Sequence, residues 1–357
     1  MSLSKMGKTT LSLSAIQASV SDLLAVYAQT QTNKAEELHP LYARLWGVIG
    51  EQLRAGGKRL RPYLVVLSYE AFGGIQDTAI LDIAGAWELL HISMLMHDDI
   101  IDRDYIRHGQ DNVAGSYLKK YDHMSDETLR LHYAHGAALL AGDLVLSSAY
   151  NLIRRSAFSL AQRQAATDIL QEAIFTVIGG ELLDTEAAMG EADIDEKLIA
   201  ETKTASYSLI GPLLSGALLA GADQAIQHKL RRLGTVLGVG YQLVDDYLGI
   251  FGDQGVIGKP LNSDLAEGRR SRVITMSFAL MNEADRRQAE TWLQAANSNY
   301  VTSLRRLIEK TDIQRVVDEH LAAYKERATT IIKQLPLTPD YERLFHAVVK
   351  TLLERNA

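Results

Sequence analysis

The sequence predicts an all-α protein, a single large helical bundle around a deep central cavity. Three observations lead there. Apolar residues recur at spacings of three and four along most of the chain, no run of alternating residues stands out as a strand, and proline occurs only six times in 357 residues.

The elements follow in chain order. Apolar stripes predict amphipathic helices near 15–27 and 41–53. Further helices are expected near 61–73, 78–103, 126–157, 159–189, 195–222, 224–252, 271–283, 285–296, 300–310, 313–334 and 339–355. Gly56-Gly57, Gly73-Gly74, the segment Gly109 to Ser125 and the loop Gly252 to Gly268 punctuate them. No linker rich in Pro, Gly or Ser divides the chain, so residues 13–357 are read as one domain. Residues 1–12 are read as a flexible or appended N-terminus, with Met6 an alternative start. Several of these helices exceed twenty residues, which at about 1.5 Å per residue makes them about 30 Å long, enough to wall a cavity.

Composition narrows the function classes. With 47% hydrophobic and 23% charged residues the chain can bury a large core, so disorder is not the default. A net charge of −7 argues against a broad basic surface for nucleic acid, and any phosphate ligand must be met by local cations. The absence of cysteine removes disulfides, thiolate zinc sites and thiol nucleophiles, and suits a cytoplasmic protein. The first residues lack the charged start and apolar core of a secretory signal. The longest uncharged stretch, Ala205 to Ala222, contains Ser206, Tyr207, Pro212 and Ser215, and reads as a buried core helix rather than a membrane span.

Two acidic motifs end apolar helices. In His97-Asp98-Asp99-Ile100-Ile101-Asp102, Asp98 and Asp102 are four apart and share a helical face. Such like charges repel unless a cation lies between them, and Mg²⁺ is the natural cation for carboxylates that share it with phosphates and water. Taken alone, an acidic helix end is as readily a solvated surface. A second pair, Asp245-Asp246, follows Tyr241-Gln242-Leu243-Val244 more than 140 residues later. Two such clusters on core-type helices suit a shared grip on one diphosphate through metal ions.

The cations are grouped as well. Gly56-Gly57-Lys58-Arg59-Leu60-Arg61-Pro62 places three of them after a glycine pair, as a diphosphate cradle or as basic capping of a helix end. Arg107-His108-Gly109, Lys203-Thr204, Lys259 and Arg269-Arg270 add further positive charge. Other motifs fail: Gly7-Lys8-Thr9 is preceded by Ser2 where a P-loop needs glycine, and His132 with His135 lacks further zinc ligands at a recognisable spacing.

In order and spacing these segments resemble the trans-isoprenyl diphosphate synthase (polyprenyl synthetase) family over roughly residues 40–280, through its GGKRxRP, HxxxxxHDDxxD, KT, GxxxQxxDD and GK elements. The resemblance implies an isoprenoid-synthase type of helical fold and a Mg²⁺-dependent prenyltransferase. Lys58, Arg61, His91 and His108 match positions that bind isopentenyl diphosphate. Asp98, Asp99 and Asp102 match the first magnesium motif, and Asp245 and Asp246 the second. Arg107, Lys203, Thr204, Gln242, Lys259 and Arg269 match positions around the allylic diphosphate.

The chain departs from the family pattern in four places. His108 replaces the second Arg of RRG, Gly249 the last Asp of the second motif, Arg269 a usual Lys, and Glu181 the Gln of a GQxxD element. Implied by the resemblance is a sequence of ionisation, condensation and elimination. Asp98, Asp102, Lys203 and Asp245 serve the departure of the allylic diphosphate, and the departing diphosphate itself acts as base.

The allylic partner is dimethylallyl, geranyl or farnesyl diphosphate, and the family's usual homodimer is expected. Family members that stop at fifteen carbons carry an aromatic four or five residues before the first motif. Met94 and Ser93 stand there, so geranylgeranyl diphosphate is the expected product, with farnesyl or longer products as the alternatives. A class I terpene cyclase would not need the second diphosphate site of Lys58, Arg61 and His91. A non-catalytic regulatory subunit of a heteromeric synthase would be expected to lose the aspartates that this chain keeps.

Overall fold

The computed structural model of the chain describes residues 12–75, 78–107, 109–189, 194–252, 262, 265–266 and 268–354. The helices are α1 (Leu13–Leu38), α2 (Pro40–Arg54), α3 (Leu60–Ala71), α4 (Thr78–Ile101), α5 (Val113–Lys120), α6 (Glu127–Arg155), α7 (Leu160–Met189) and α8 (Glu196–Ile199). A π-helical segment, Ala200–Ile210, leads into α9 (Gly211–Leu219) and α10 (Gln224–Phe251). There follow α11 (Arg272–Leu280), α12 (Glu283–Gln294), α13 (Ser298–Glu309), α14 (Ile313–Ile332) and α15 (Pro339–Leu353).

Their starts are written in the sequence. Ser12, Asn112, Asp126 and Asp223 each turn a side-chain oxygen onto a backbone N–H of the first turn, and Pro40 and Pro339 open α2 and α15 where a missing N–H costs nothing.

Tertiary contacts group the chain into two compact units, each drawn from separated stretches. The first comprises Met1–Ile106, Gln110–Thr167 and Ser215–Ala222. The second comprises Arg107–Gly109, Asp168–Leu214 and Asp223–Ala357.

In the first unit α4 is the core helix, and Ile83, Ala84, Trp87 and Leu90 are fully buried. Trp87 donates its indole N–H to the hydroxyl of buried Ser215 at 3.0 Å, which satisfies the one polar atom of a large apolar side chain. Helix α6 runs along α4 at close range. A Cβ on Gly142 would lie 2.2 Å from His97 Nε2, so any side chain there would have to push the His97 ring aside, beside the first acidic motif. The second unit is organised on α10, against which the π segment, α14 and α15 pack. At Gly238 a Cβ would meet Ala205 Cβ at 2.3 Å and its Cα at 2.5 Å, so the backbones of α10 and the π segment are nearly in contact.

Four local outcomes differ from the sequence expectation. Helix α1 continues to Leu38 through a polar run in which Ala35 is the buried anchor. The segment read as punctuation from Gly109 contains α5, capped by Asn112. Two-residue strands, Ile106–Arg107 and Gln110–Asp111, pair in a short ladder where no strand was expected. The helix expected over 195–222 is broken in type, with the π segment at its centre, although Ala205, Leu209, Leu213 and Ala217 are buried as a core helix requires. Helices α4 and α6 are also long and apolar enough to cross a membrane, and 72% and 44% of their most apolar windows are buried inside the protein.

Candidate active site

The first unit carries the GGKRLRP loop. Gly56 and Gly57 adopt φ of +89° and +139°, conformations open to glycine and strained for other residues. Arg59 is also left-handed, at φ 45° and ψ 40°, which costs a non-glycine residue about 1–2 kcal/mol. Lys58 is exposed and Arg61 half-buried at the start of α3, whereas Arg59 is buried and paired with Glu88 of α4. The three cations of this loop therefore divide into two accessible ones and one internal one.

His91 lies about two turns before Asp98, the start of the first acidic motif, on α4. Asp102 N donates to Asp98 O at 2.8 Å, so the helical path continues one residue past Ile101 and keeps Asp98 and Asp102 one turn apart on one face. Both are half-buried, while Asp99 is 4% exposed. Adjacent residues do not share a helix face, so Asp99 is turned inward when the other two are turned out. Ser93 is fully buried and donates its hydroxyl to Gly142 O of α6 at 2.9 Å. Position 93 therefore lies against the α6 backbone, and of the two length-related positions Met94 is the half-exposed one.

The second unit gathers the other motifs through the π segment. Lys203 Nζ lies 2.9 Å from Glu181 Oε2 and 2.7 Å from Asp184 Oδ2, both on α7. Its neighbour Thr204 points to α10 and donates to Gln242 Oε1 at 2.6 Å. Gln242 Nε2 in turn donates to Asp246 Oδ1 at 2.8 Å, and the backbone N–H of Arg272 reaches Asp246 Oδ2 at 3.2 Å. Asp246 is thus buried with both oxygens engaged, while Asp245 is exposed. Arg107 and Arg269 are half-buried. His108 and Lys259 lie outside the described residues.

The donors suit a hard, oxygen-seeking cation that completes its shell elsewhere. In the first unit Asp98 and Asp102 offer a carboxylate pair; in the second, Asp245 is an exposed carboxylate of its own. Among the described residues no three His, Cys, Asp or Glu side chains gather as a closed metal cage. Mg²⁺ is commonly held in this way, by one or two carboxylates with water and substrate phosphates making up the rest. Sequence reasoning did not assign Arg59, Glu88 or Asp184. The xxD of the GQxxD element was the signal for Asp184; Glu88 carries none, since a single acid on an apolar helix reads as a chance surface charge.

The chain matches the Polyprenyl synthetase family over residues 43–311. It is 32% identical over 239 residues to a geranylgeranyl diphosphate synthase of Sulfolobus acidocaldarius, a match covering 65% of this chain and 66% of that enzyme. It is 34% identical over 260 residues to a (2E,6E)-farnesyl diphosphate synthase of Mycobacterium bovis, covering 71% and 67%. In structure it resembles the geranylgeranyl pyrophosphate synthase of Corynebacterium glutamicum, solved with isoprenyl diphosphate and magnesium. The TM-score is 0.89, with 97% and 100% of the two chains covered. At 24% identity that likeness establishes the all-helical fold. The chain belongs to the polyprenyl synthetase family of prenyltransferases.

Proposed function

We propose that the protein condenses isopentenyl diphosphate head to tail with an allylic diphosphate to give a trans-polyprenyl diphosphate, with geranylgeranyl diphosphate as the main product. The observation that carries this reading is the pair Asp98 and Asp102, one turn apart and accessible, at the end of the helix that also holds His91. Magnesium is assigned to Asp98 and Asp102 and to Asp245, where it would neutralise the allylic diphosphate and make it a better leaving group.

The chain's own residues take the remaining roles. Lys58, Arg61 and His91 hold isopentenyl diphosphate so that its double bond is oriented for attack. Lys203 and Arg107 meet the charge that grows on the departing diphosphate, with Lys259, Arg269 and His108 as further diphosphate contacts. Thr204 and Gln242 align Lys203 and Asp246 rather than reacting, and Asp99 and Asp246 support the accessible carboxylates beside them. No side chain is assigned the final deprotonation, which falls to the departing diphosphate. Apolar surroundings exclude water, which would otherwise trap the allylic cation as an alcohol.

The product length rests on the lack of an aromatic at positions 93 and 94 and, with Ser93 sealed against α6, on half-exposed Met94 in particular. Relatives named for geranylgeranyl, farnesyl and geranylfarnesyl diphosphate lie at similar distances. The pairing of the chain as a homodimer is supported by two apolar stripes, Leu129, Tyr133 and Leu140 on α6, and Phe175, Ile178 and Leu182 on α7, with Phe175 79% exposed. Light scattering at micromolar concentration should give twice the 39.4 kDa chain mass.

Incubation with labelled isopentenyl diphosphate, each allylic primer in turn, and Mg²⁺ with or without chelator tests the whole reading. A Mg²⁺-dependent twenty-carbon product is expected. A fifteen-carbon or longer product would keep the reaction and overturn the length assignment, and no elongation with any primer would overturn the reaction.

A further inference from the structure

Arg59 stands between two accessible cations, yet its guanidinium is internal. Its side chain is 2% exposed, Nη1 donates to Glu88 Oε1 at 2.7 Å, and Nη2 donates to Leu53 O at 2.6 Å. Glu88 is buried as well, at 4% side-chain exposure. The loop is held a third time by Gln17 of α1, whose amide donates to Lys58 O at 2.7 Å. Helix α1, the end of α2 and the middle of α4 therefore all fix a stretch of five residues that contains three left-handed backbones, Gly56, Gly57 and Arg59. Left-handed backbone is costly for an arginine, and here the surroundings hold it in place.

Glu88 precedes His91 by three residues, so the two share a face of α4. A buried charge that loses its partner is strongly penalised, so Arg59 and Glu88 constrain each other and move the loop and α4 as one piece. We propose that Arg59 is a positioning residue: locked to Glu88, it sets the loop so that Lys58 and Arg61 present their cations in fixed relation to His91. This rests on the reading that Lys58, Arg61 and His91 bind isopentenyl diphosphate. Lysine cannot replace Arg59, because a single ammonium does not bridge Glu88 and the Leu53 carbonyl with the fixed fork of a guanidinium.

Steady-state kinetics with both substrates test it on Arg59→Lys, Glu88→Gln and the double variant Arg59→Gln/Glu88→Gln. Each single change should raise the KM for isopentenyl diphosphate tenfold or more and leave the allylic KM within about twofold. The double variant should be no worse than the poorer single one, since the pair acts as a unit. A raised KM in Arg59→Lys with Glu88→Gln unchanged would mean that Arg59 touches the ligand itself, and would overturn the proposal. So would equal loss for both substrates.

Where the variants do not fold, limited trypsin digestion of the unaltered protein decides. The tethered loop should resist cleavage after exposed Lys58 while the protein stays native, and rapid cleavage there overturns the proposal. Lys58→Ala and Arg61→Ala separate the two layers of argument. An unchanged isopentenyl KM in both would remove the binding reading, whereas trypsin resistance reports on the Arg59 lock alone.

Discussion

Replacing Gly238 with alanine would separate the two helical backbones that bring Lys203, Thr204 and Gln242 together. The new Cβ would sit 2.3 Å from Ala205 Cβ and 2.5 Å from its Cα. Carbon atoms pack at about 3.5–4.0 Å, so α10 and the π segment must part by roughly 1.2 Å or more. Both obstructing atoms belong to buried Ala205, which has no rotamer to yield, so the penalty lies near the top of the range for overpacking, about 3 kcal/mol. The same displacement stretches the 2.6 Å bond from Thr204 to Gln242 beyond about 3.5 Å and removes about 1 kcal/mol more.

Urea unfolding followed by two probes should therefore place Gly238→Ala about 4 kcal/mol below the parent. Displacing Thr204 and Lys203 by an ångström should lower kcat/KM for the allylic substrate about 100-fold, and the isopentenyl KM should move little. Gly179→Ala is the control. A Cβ there meets nothing within 4 Å, so it should be neutral or stabilising by up to about 1 kcal/mol. Gly238→Ala with parental stability and an unchanged allylic kcat/KM would refute the reasoning.

Three further outcomes are expected. Gly249→Asp places a carboxylate one turn after Asp245 in open space, so the fold should tolerate it and half-maximal activity should come at lower Mg²⁺; an unchanged or higher requirement counts against Asp245 as a metal ligand. Glu181→Gln removes one of two carboxylates that compete with a diphosphate for Lys203. For partly exposed groups this is worth about 1 kcal/mol, so the allylic KM should fall up to about fivefold, and a rise would show that Glu181 aids binding. Burial, with the positive charge of Arg272, holds the His320 imidazole below its ordinary 6.5, against the opposing pull of Glu319. The unfolded chain then takes up protons more readily than the folded one, so stability is full above about pH 6.5 and declines as pH falls toward the lowered value. His320→Gln should flatten that slope in urea midpoints measured from pH 7 to 5.

The long helices were legible because their burial leaves a periodic trace. Apolar spacing placed a helix at 126–157, and α6 runs from Glu127 to Arg155. Where burial is thin the trace fades, as in the second half of α1, and glycine and asparagine around α5 read as turn signals although Asn112 is its cap. The acidic and basic motifs were readable as residue types at fixed spacing. Their division of labour was not, because it depends on packing: Arg59 resembles its neighbours in the sequence and differs from them only in having Glu88 behind it. Ser93 likewise reads in the sequence only as a small, non-aromatic residue, and nothing there shows that its hydroxyl is sealed against the α6 carbonyl of Gly142. Likewise the π segment leaves no compositional mark, since the same residues suit an α-helix.

That segment gives the prenyltransferase an unusual sensitivity to length. A π turn accommodates one residue more than an α turn, so removing a single residue between Ala200 and Ile210 should restore α-helical winding with the same number of turns. The helix on either side of the deletion would then keep its orientation, because the turn loses only the residue that widened it. Lys203 would draw back from Glu181 and Asp184 as its own turn tightened, while the α-helical turns on either side kept their places. The aim of one ammonium group is in this sense stored in a count of residues rather than in any contact it makes.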